Sequence, residues 1–376
     1  MQSLDSSNIK NKRVILRVDF NVPIDKDGNV EDTSRIVAAK KTLDFLLQNN
    51  CHVILISYLG RPEGYDQKLS LKPIIKVLQS LFPEYNTVFI ENFLQDDSAI
   101  LAQKENQIIL FENIRFHPEE QSNDQQYIQK IASYGDVFIN DAFSVSHREE
   151  ATITGLPTLL PSYAGFQLQK EVMMLQKALG GKGRPRVTIL GGAKVSTKIK
   201  LIEKFITSSD HILLGGALAN TFLAATGMNM EKSLYEKNHI ETAKNLIELS
   251  RKSACDLLLP TDFITNEKGA ILDIGTETVL CYAKIIAEAH TIIWNGPMGY
   301  YEDPRYRAGS DDIFTSIAAN HNALSIIGGG DTLLVLENKS TQEKDSISHI
   351  STGGGAMLEY IENGTLPGIE ALNNSK

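Results

Sequence analysis

The sequence predicts an α/β protein: two doubly wound parallel-sheet domains joined by a long helix, with a cleft between them. Three observations lead there. Short apolar runs alternate with longer helical patterns, the runs fall into two groups, and a helical stretch separates the groups.

In the first group the runs are VILRVDF (14–20), CHVILIS (51–57), QIILF (107–111) and DVFIND (136–141). In the second they are RPRVTILG (184–191), HILLGG (211–216), DLLLP (256–260), TIIWNG (291–296) and NALSIIGG (322–329). Runs apolar at successive positions suit strands buried on both faces of a helix-covered parallel sheet. IVAAKKTLDFLLQ (36–48) and IKLIEKFIT (199–207) read as helices among them. Between the groups, Phe166, Leu168, Val172, Met173, Leu175 and Leu179 recur at helical spacing, and GGKG closes the stretch with glycine past its end. The expected division is a first domain over 1–164, a connecting helix over 165–180 and a second domain over 181–356. A C-terminal segment, 357–376, is expected to return to the first domain.

A chain of 376 residues suits two domains of ordinary size. Acidic residues outnumber basic ones by 46 to 37, a net charge of −9, which argues against nucleic-acid binding through overall charge. The cysteines, Cys51, Cys255 and Cys281, are odd in number and scattered, so they suggest neither a disulfide framework nor a zinc site. Cys51 and Cys281 stand in apolar runs and are expected to be buried. No apolar run approaches the roughly 18 residues of a membrane helix, and the N-terminus lacks the apolar core of a signal peptide. The expectation is a cytoplasmic enzyme that partners neither nucleic acid nor membrane.

Open α/β sheets bind ligands beyond the carboxyl ends of their strands. Glycine turns crowd such places in the second half: Gly191-Gly192-Ala193-Lys194, Gly215-Gly216-Ala217, Gly328-Gly329-Gly330-Asp331-Thr332 and Gly353-Gly354-Gly355. Their repetition after strands points to a phosphate cradle, although none is a P-loop or a dinucleotide fingerprint. Lys194 and Lys198, four residues apart, would share a helix face aimed at phosphate. Asp331 would either cap the helix beginning there or hold the Mg²⁺ that nucleotides carry. In the first half Arg17, Arg35, Arg61, Arg115 and Arg148 stand at or just after strand ends, placed to converge on a small anion by bidentate bonds. Asp19 and Asn21 share a strand face with Arg17, to position substrate hydroxyls or to cap the turn before Pro23. His117 and His147 lack partners at metal-ligand spacing and read as structural, and Trp294 reads as core or domain-wall packing.

Several segments are long and distinctive: RVDFNVP (17–23), SYLGRP (57–62), LFENIRFHPEE (110–120), DVFINDAF (136–143), ILGGAKVSTK (189–198), GGALANTFL (215–223), WNGPMG (294–299), GGGDT (328–332) and SHISTGGGAMLEYI (348–361). In this order they resemble phosphoglycerate kinases, from about residue 10 to the C-terminus. The resemblance implies an N-terminal domain for phosphoglycerate and a C-terminal domain for nucleotide. It implies reversible phosphoryl transfer from 1,3-bisphosphoglycerate to ADP, giving 3-phosphoglycerate and ATP with Mg²⁺, by a monomer that bends at a hinge. Carried over by position, Asp19 and Asn21 would contact the glycerate. Arg35, Arg61, Arg115 and Arg148 would form a basic patch that includes Tyr58, with Arg35 the catalytic arginine. Lys194, Lys198 and Asn295 would hold nucleotide phosphates, Asp331 would serve the magnesium beside Thr332, and Glu302 would take the ribose hydroxyls. Gly192, Ala193, Gly216 and Leu272 would line the adenine pocket. Lys198 and the backbone of Gly329, Gly330, Gly353 and Gly354 would join Arg35 at the transferring group.

The resemblance has departures. Tyr58 stands where the family usually has His, Glu150 where it has a second His, and Thr197 where it has Asp. Losing two imidazoles and gaining a carboxylate in the patch should weaken 3-phosphoglycerate binding roughly 10- to 100-fold. These departures also leave an alternative: a catalytically weakened paralogue that binds nucleotide and serves a non-glycolytic role.

Overall fold

The computed structural model describes residues 4–375, so the expected outer bounds at 1 and 376 lie outside the described residues. The chain forms two compact units. One comprises the residues up to Val172 together with those from Asn363 onward, and the other is Met173–Glu362.

The first unit is built on β1 (Arg13–Arg17), β2 (His52–Ile56), β3 (Asn86–Ile90), β4 (Gln107–Phe111), β5 (Val137–Asn140) and β6 (Ser162–Ala164). All pairings are parallel, in the order β3-β4-β2-β1-β5-β6. The chain starts mid-sheet, winds to one edge, then reverses past β1 to the other. Loops after β1, β2, β4 and β5 therefore leave the same end of the sheet on both sides of that reversal, where such sheets bind ligands. Val14, Leu16, Val53, Leu55, Ile108 and Leu110 pack in one core with Leu43, Leu46, Ile74 and Leu78 of the helices Lys40–Gln48 and Ile74–Leu81. Their alternates Ile15, Ile54, Ile109 and Phe138 are fully enclosed as well. Burial on both faces explains why these strands show no polar alternation.

The second unit repeats the plan with β7 (Arg186–Leu190), β8 (His211–Leu214), β9 (Asp256–Leu258), β12 (Thr291–Asn295), β13 (Leu324–Ile327) and β14 (His349–Ile350). Their order is β14-β13-β12-β7-β8-β9, again all parallel. An antiparallel hairpin, β10 (Phe263–Thr265) with β11 (Ile271–Ile274), stands beside it in sequence. Trp294 is wholly buried in this unit's core and donates its indole N–H to the Gly296 carbonyl at 2.8 Å.

The stretch read as a connecting helix is Phe166–Leu179, and the division between the units falls within it. The terminal helix Pro367–Asn373 packs in the first unit against the π-helical turn Ala151–Gly155 and the helix Leu156–Leu159. There Gly368 donates its N–H to the Ser146 carbonyl at 2.8 Å.

Three local expectations change. The helix read over 36–48 is divided by a tightened turn at Ala39 (φ −77°, ψ −11°) into Ser34–Ala38 and Lys40–Gln48. Lys194 and Lys198 do not share a helix face, because the glycine at 192 takes φ +91° and the helix begins only at Ile199. Cys281 is exposed, whereas Cys51 and Cys255 are buried. It lies on the helix Thr276–Glu288, whose inward stripe is Thr278, Tyr282 and Ile286, so the neighbouring position 281 turns to solvent with Leu280.

Candidate active site

In the first unit, the loops beyond β1, β2, β4 and β5 bring most of the predicted residues together. Asp19 is half-buried and serves as a hub. Its Oδ1 accepts the Asn21 N–H at 3.0 Å, which closes a short turn, and its Oδ2 accepts Arg35 Nη1 at 2.5 Å and the Ser144 hydroxyl. Asn21 in turn accepts the Gly60 N–H at 2.8 Å, tying the loop after β1 to the loop after β2. Arg35 keeps a 27% exposed side chain and Arg61 is exposed, so both guanidiniums reach solvent.

Arg115 is placed differently. It is 4% exposed, donates to the Gly60 carbonyl at 3.0 Å and pairs with Glu150 at 3.0 Å. Arg148 reaches the same carboxylate at 3.5 Å, and Arg17, which is wholly buried, approaches it at 3.9 Å. Tyr58, 5% exposed, lies against these cations, with its ring centre 3.9 Å from Arg115 Cζ and 5.1 Å from Arg17 Cζ. Burial, aided by the Asp19 charge, pushes its hydroxyl pKa up, so it stays a neutral phenol. Behind them, Arg17 Nε donates to the Thr152 hydroxyl at 3.0 Å, and Thr152 donates to Glu120 at 2.6 Å. Burial pushes the Glu120 carboxyl up to about 7. Of the five arginines expected to converge on an anion, three thus converge on one internal carboxylate.

In the second unit the glycine turns interlock. The Gly192 N–H donates to the Pro297 carbonyl at 2.9 Å, Gly216 N–H to Met298 at 2.7 Å and Leu218 N–H to Gly192 at 2.9 Å. Gly329, at φ +115°, touches the Gly353–Gly355 turn so closely that a Cβ on Gly354 would lie 2.6 Å from the Gly329 Cα. Only glycine permits that approach. The helix Gly330–Glu337 starts there, with Gly330 and Asp331 exposed at its first turn. Thr332 is enclosed, accepting the Gly296 N–H at 2.6 Å and donating to the Gly328 carbonyl at 3.1 Å, and Asn295 donates to Gly328 at 2.8 Å. Lys198 folds back so that Nζ donates to the Gly191 carbonyl at 2.8 Å and meets the Asn295 carbonyl at 3.5 Å. Burial pushes its pKa down to about 8, against the opposing pull of Asp331. Lys194 is exposed.

Beside this cradle lies a largely apolar cavity of about 240 Å³. The predicted Gly192, Ala193, Gly216, Leu272, Glu302 and Asp331 all line it. So do Asn220, Pro260, Phe263, Met298 and Tyr300, which the sequence did not single out. Asp273, also in the wall, accepts the N–H groups of Gly309 and Ile274 at 2.8 and 2.9 Å, and burial lifts its carboxyl to about 6. A largely apolar cavity lined by Gly192 and Gly216, beside a helix start where Gly330 is exposed, fits a nucleoside with its phosphates.

Two parallel sheets, an arginine-rich strand-end surface on one and a glycine cradle with an apolar slot on the other, can be set against known families. A family model described as "Phosphoglycerate kinase" matches residues 4–364. The chain belongs to the phosphoglycerate kinase family. A phosphoglycerate kinase of Finegoldia magna is 40% identical over 99% of each chain, and one of Moorella thermoacetica is 41% identical over 98% of each. Among solved structures, the phosphoglycerate kinase of Coxiella burnetii superposes with a TM-score of 0.88 at 34% identity, covering 98% of each chain. That of Pyrococcus horikoshii gives 0.85 at 28% identity, covering 99% of this chain and 98% of its own. The sequence placed the Glu150 carboxylate in the basic patch; what it did not show is that Arg115, Arg148 and Arg17 all turn to that carboxylate.

Proposed function

We infer that the chain catalyses reversible phosphoryl transfer from 1,3-bisphosphoglycerate to ADP, yielding 3-phosphoglycerate and ATP, a step of glycolysis and gluconeogenesis. The observation that carries this reading is the second unit's largely apolar cavity, lined by Gly192 and Gly216 of the glycine turns and by Asp331, with Lys198 bonded to the neighbouring Gly191 carbonyl. The adenine fits the slot of Gly192, Ala193, Gly216 and Leu272, Glu302 at the rim takes the ribose, and the phosphates run toward Lys194, Lys198, Asn295 and the N–H groups of Gly329 and Gly330. Asp331, an exposed carboxylate at a helix start beside exposed backbone, suits a hard cation that takes one or two carboxylates and fills its shell with phosphate oxygens and water. Asp331 would hold the Mg²⁺ that accompanies the nucleotide, which would supply charge neutralisation at the phosphate oxygens.

The substrate acid belongs to the first unit, with Asp19 and Asn21 at the glycerate and Arg35 and Arg61 open to its anionic groups. Arg148 and Arg115, paired with Glu150, and Tyr58 packed on Arg115 complete the basic patch that takes them. The nucleophile in ATP synthesis is a β-phosphate oxygen of ADP, and in reverse it is the glycerate carboxylate. Both are ionised at neutral pH, so no general base is needed. The protein's work is in-line placement and charge stabilisation of a loose transition state. Asp19 holds the Arg35 fork in one orientation for that purpose, and Lys198, with Gly330 and Gly354, meets the charge from the nucleotide side. A monomeric, cytoplasmic enzyme goes with this reading, and among the described residues no helix is long and apolar enough to cross a membrane.

A coupled assay that follows ADP formation from ATP and 3-phosphoglycerate, with Mg²⁺ varied, tests the reading. Turnover should require all three components. A folded sample with no phosphoglycerate-dependent turnover would refute it.

A further inference from the structure

Resting on the reading just given, we propose that Glu150 is a resident competitor for substrate: an internal carboxylate that the anionic group of the phosphorylated acid must displace from Arg148 and Arg115, and that thereby sets the enzyme's affinity for that acid.

The geometry is that of an occupied anion trap. Glu150 Oε1 takes Arg115 Nη2 at 3.0 Å and Arg148 Nη1 at 3.5 Å, while Oε2 lies 3.9 Å from Arg17 Nη2. The carboxylate is 5% exposed, so water screens these pairs little. The three guanidiniums are not equally free to change partners. Arg17 is wholly buried and spends Nε on Thr152 and Nη1 on the Val18 carbonyl at 2.9 Å. Arg115 is held by the Gly60 carbonyl and the Tyr58 ring, with only Nη2 turned to Glu150. Arg148, with a 38% exposed side chain, has Glu150 as its only ion-pair partner among the described residues. An incoming phosphate or carboxylate therefore meets Arg148 first and the Nη2 edge of Arg115 second, and at both it meets groups already committed.

The exchange remains possible because the cluster keeps an excess of positive charge. Three arginines face the one Glu150 carboxylate, and the second acid nearby, Glu120, is turned to Thr152 and has its carboxyl pushed up to about 7 by burial. The contrasting role for Glu150 is structural, as the counter-ion without which the two buried cations, Arg17 and Arg115, destabilise the fold. The two roles differ in what an isosteric neutral side chain does to anion binding.

The experiment compares wild type with Glu150→Gln, which keeps shape and a carbonyl acceptor, and with Glu150→Asp, which keeps charge but withdraws it. Thermal unfolding is followed against sulfate concentration, and steady-state kinetics against 3-phosphoglycerate and MgATP. In Glu150→Gln, the half-saturating sulfate concentration and the KM for 3-phosphoglycerate should each fall about 10-fold, the loss of one charge-assisted competitor, with the KM for MgATP unchanged. Glu150→Asp should fall between, and carries the test if the Gln variant does not fold. A sulfate response that neither variant sharpens overturns the proposal. A sharpened sulfate response with an unmoved KM for 3-phosphoglycerate keeps Glu150 as an anion competitor but overturns its control of substrate, and places the fault in the assignment of phosphoglycerate to this cluster.

Discussion

Tyr58 lies under the Arg115 guanidinium, its ring centre 3.9 Å from Cζ, so the side chain in the middle of the basic patch offers Arg115 a π face. An imidazole there would add an N–H donor for an anion. Tyr58→His combined with Glu150→His should lower the KM for 3-phosphoglycerate by about 10-fold or more, with a smaller change for MgATP. Steady-state kinetics with each substrate varied checks this, and an unchanged KM would show that these two positions do not limit binding.

Arg35 is the one arginine of the patch whose position is fixed by Asp19 while its side chain stays open to solvent. Arg35→Ala should cut kcat by about 100-fold or more while leaving ADP affinity near wild type. Single-turnover rates and calorimetric ADP titrations measure the two separately, and a near-normal kcat would remove Arg35 from the chemistry.

Lys198 has its pKa pushed down to about 8 by burial. Phosphates brought beside it favour its charged form, so its pKa rises on nucleotide binding. ADP binding at pH 8.5 should therefore take up protons, and at pH 6.5, where Lys198 is already charged, it should not do so through this group. Calorimetry in buffers of different ionisation enthalpy reads the proton count, and the uptake should vanish in Lys198→Met.

Gly329 has φ +115°, and a Cβ there would lie 2.3 Å from the Asn295 amide nitrogen. Gly329→Ala should lose about 1–3 kcal/mol of stability and weaken ADP binding, since both the backbone and Asn295 must shift. Denaturant unfolding and ADP titration check it.

Glu120 is fully enclosed, with its carboxyl pushed up to about 7 from 4.5. The folded state then binds the proton more tightly than the unfolded chain. The group's cost is absent below pH 4.5, grows through that window and is complete above pH 7. Glu120→Gln should accordingly gain stability relative to wild type as pH rises from 4.5 to 7, approaching about 3 kcal/mol. Urea unfolding of both proteins across that range measures it, and a pH-independent difference would contradict the shift.

The architecture was legible because the strands are apolar on both faces and therefore contiguous in sequence. The strands that escaped were the short or polar ones. β3 (NTVFI) is an edge strand with a half-open face, β6 has three residues, and β14 has two. The second unit's cavity was legible through its glycines, since a turn that admits no Cβ leaves a mark in the sequence. Asn220, Phe263 and Met298 left none, being ordinary residues made into cavity walls by packing. The arginines were legible as a set, but their partners were not. Whether Arg115 points at a ligand or at Glu150 depends on the path of the loop from Ser144 to the π-helical turn Ala151–Gly155, and no periodicity encodes that path.

The outward turn of position 281 has a practical consequence. With Cys51 and Cys255 enclosed, a maleimide should react at a single place, on a helix of the second unit, without any engineered change. A fluorophore attached there would report on the surroundings of that helix, and any response of them to added nucleotide would be read as an optical signal from the native chain.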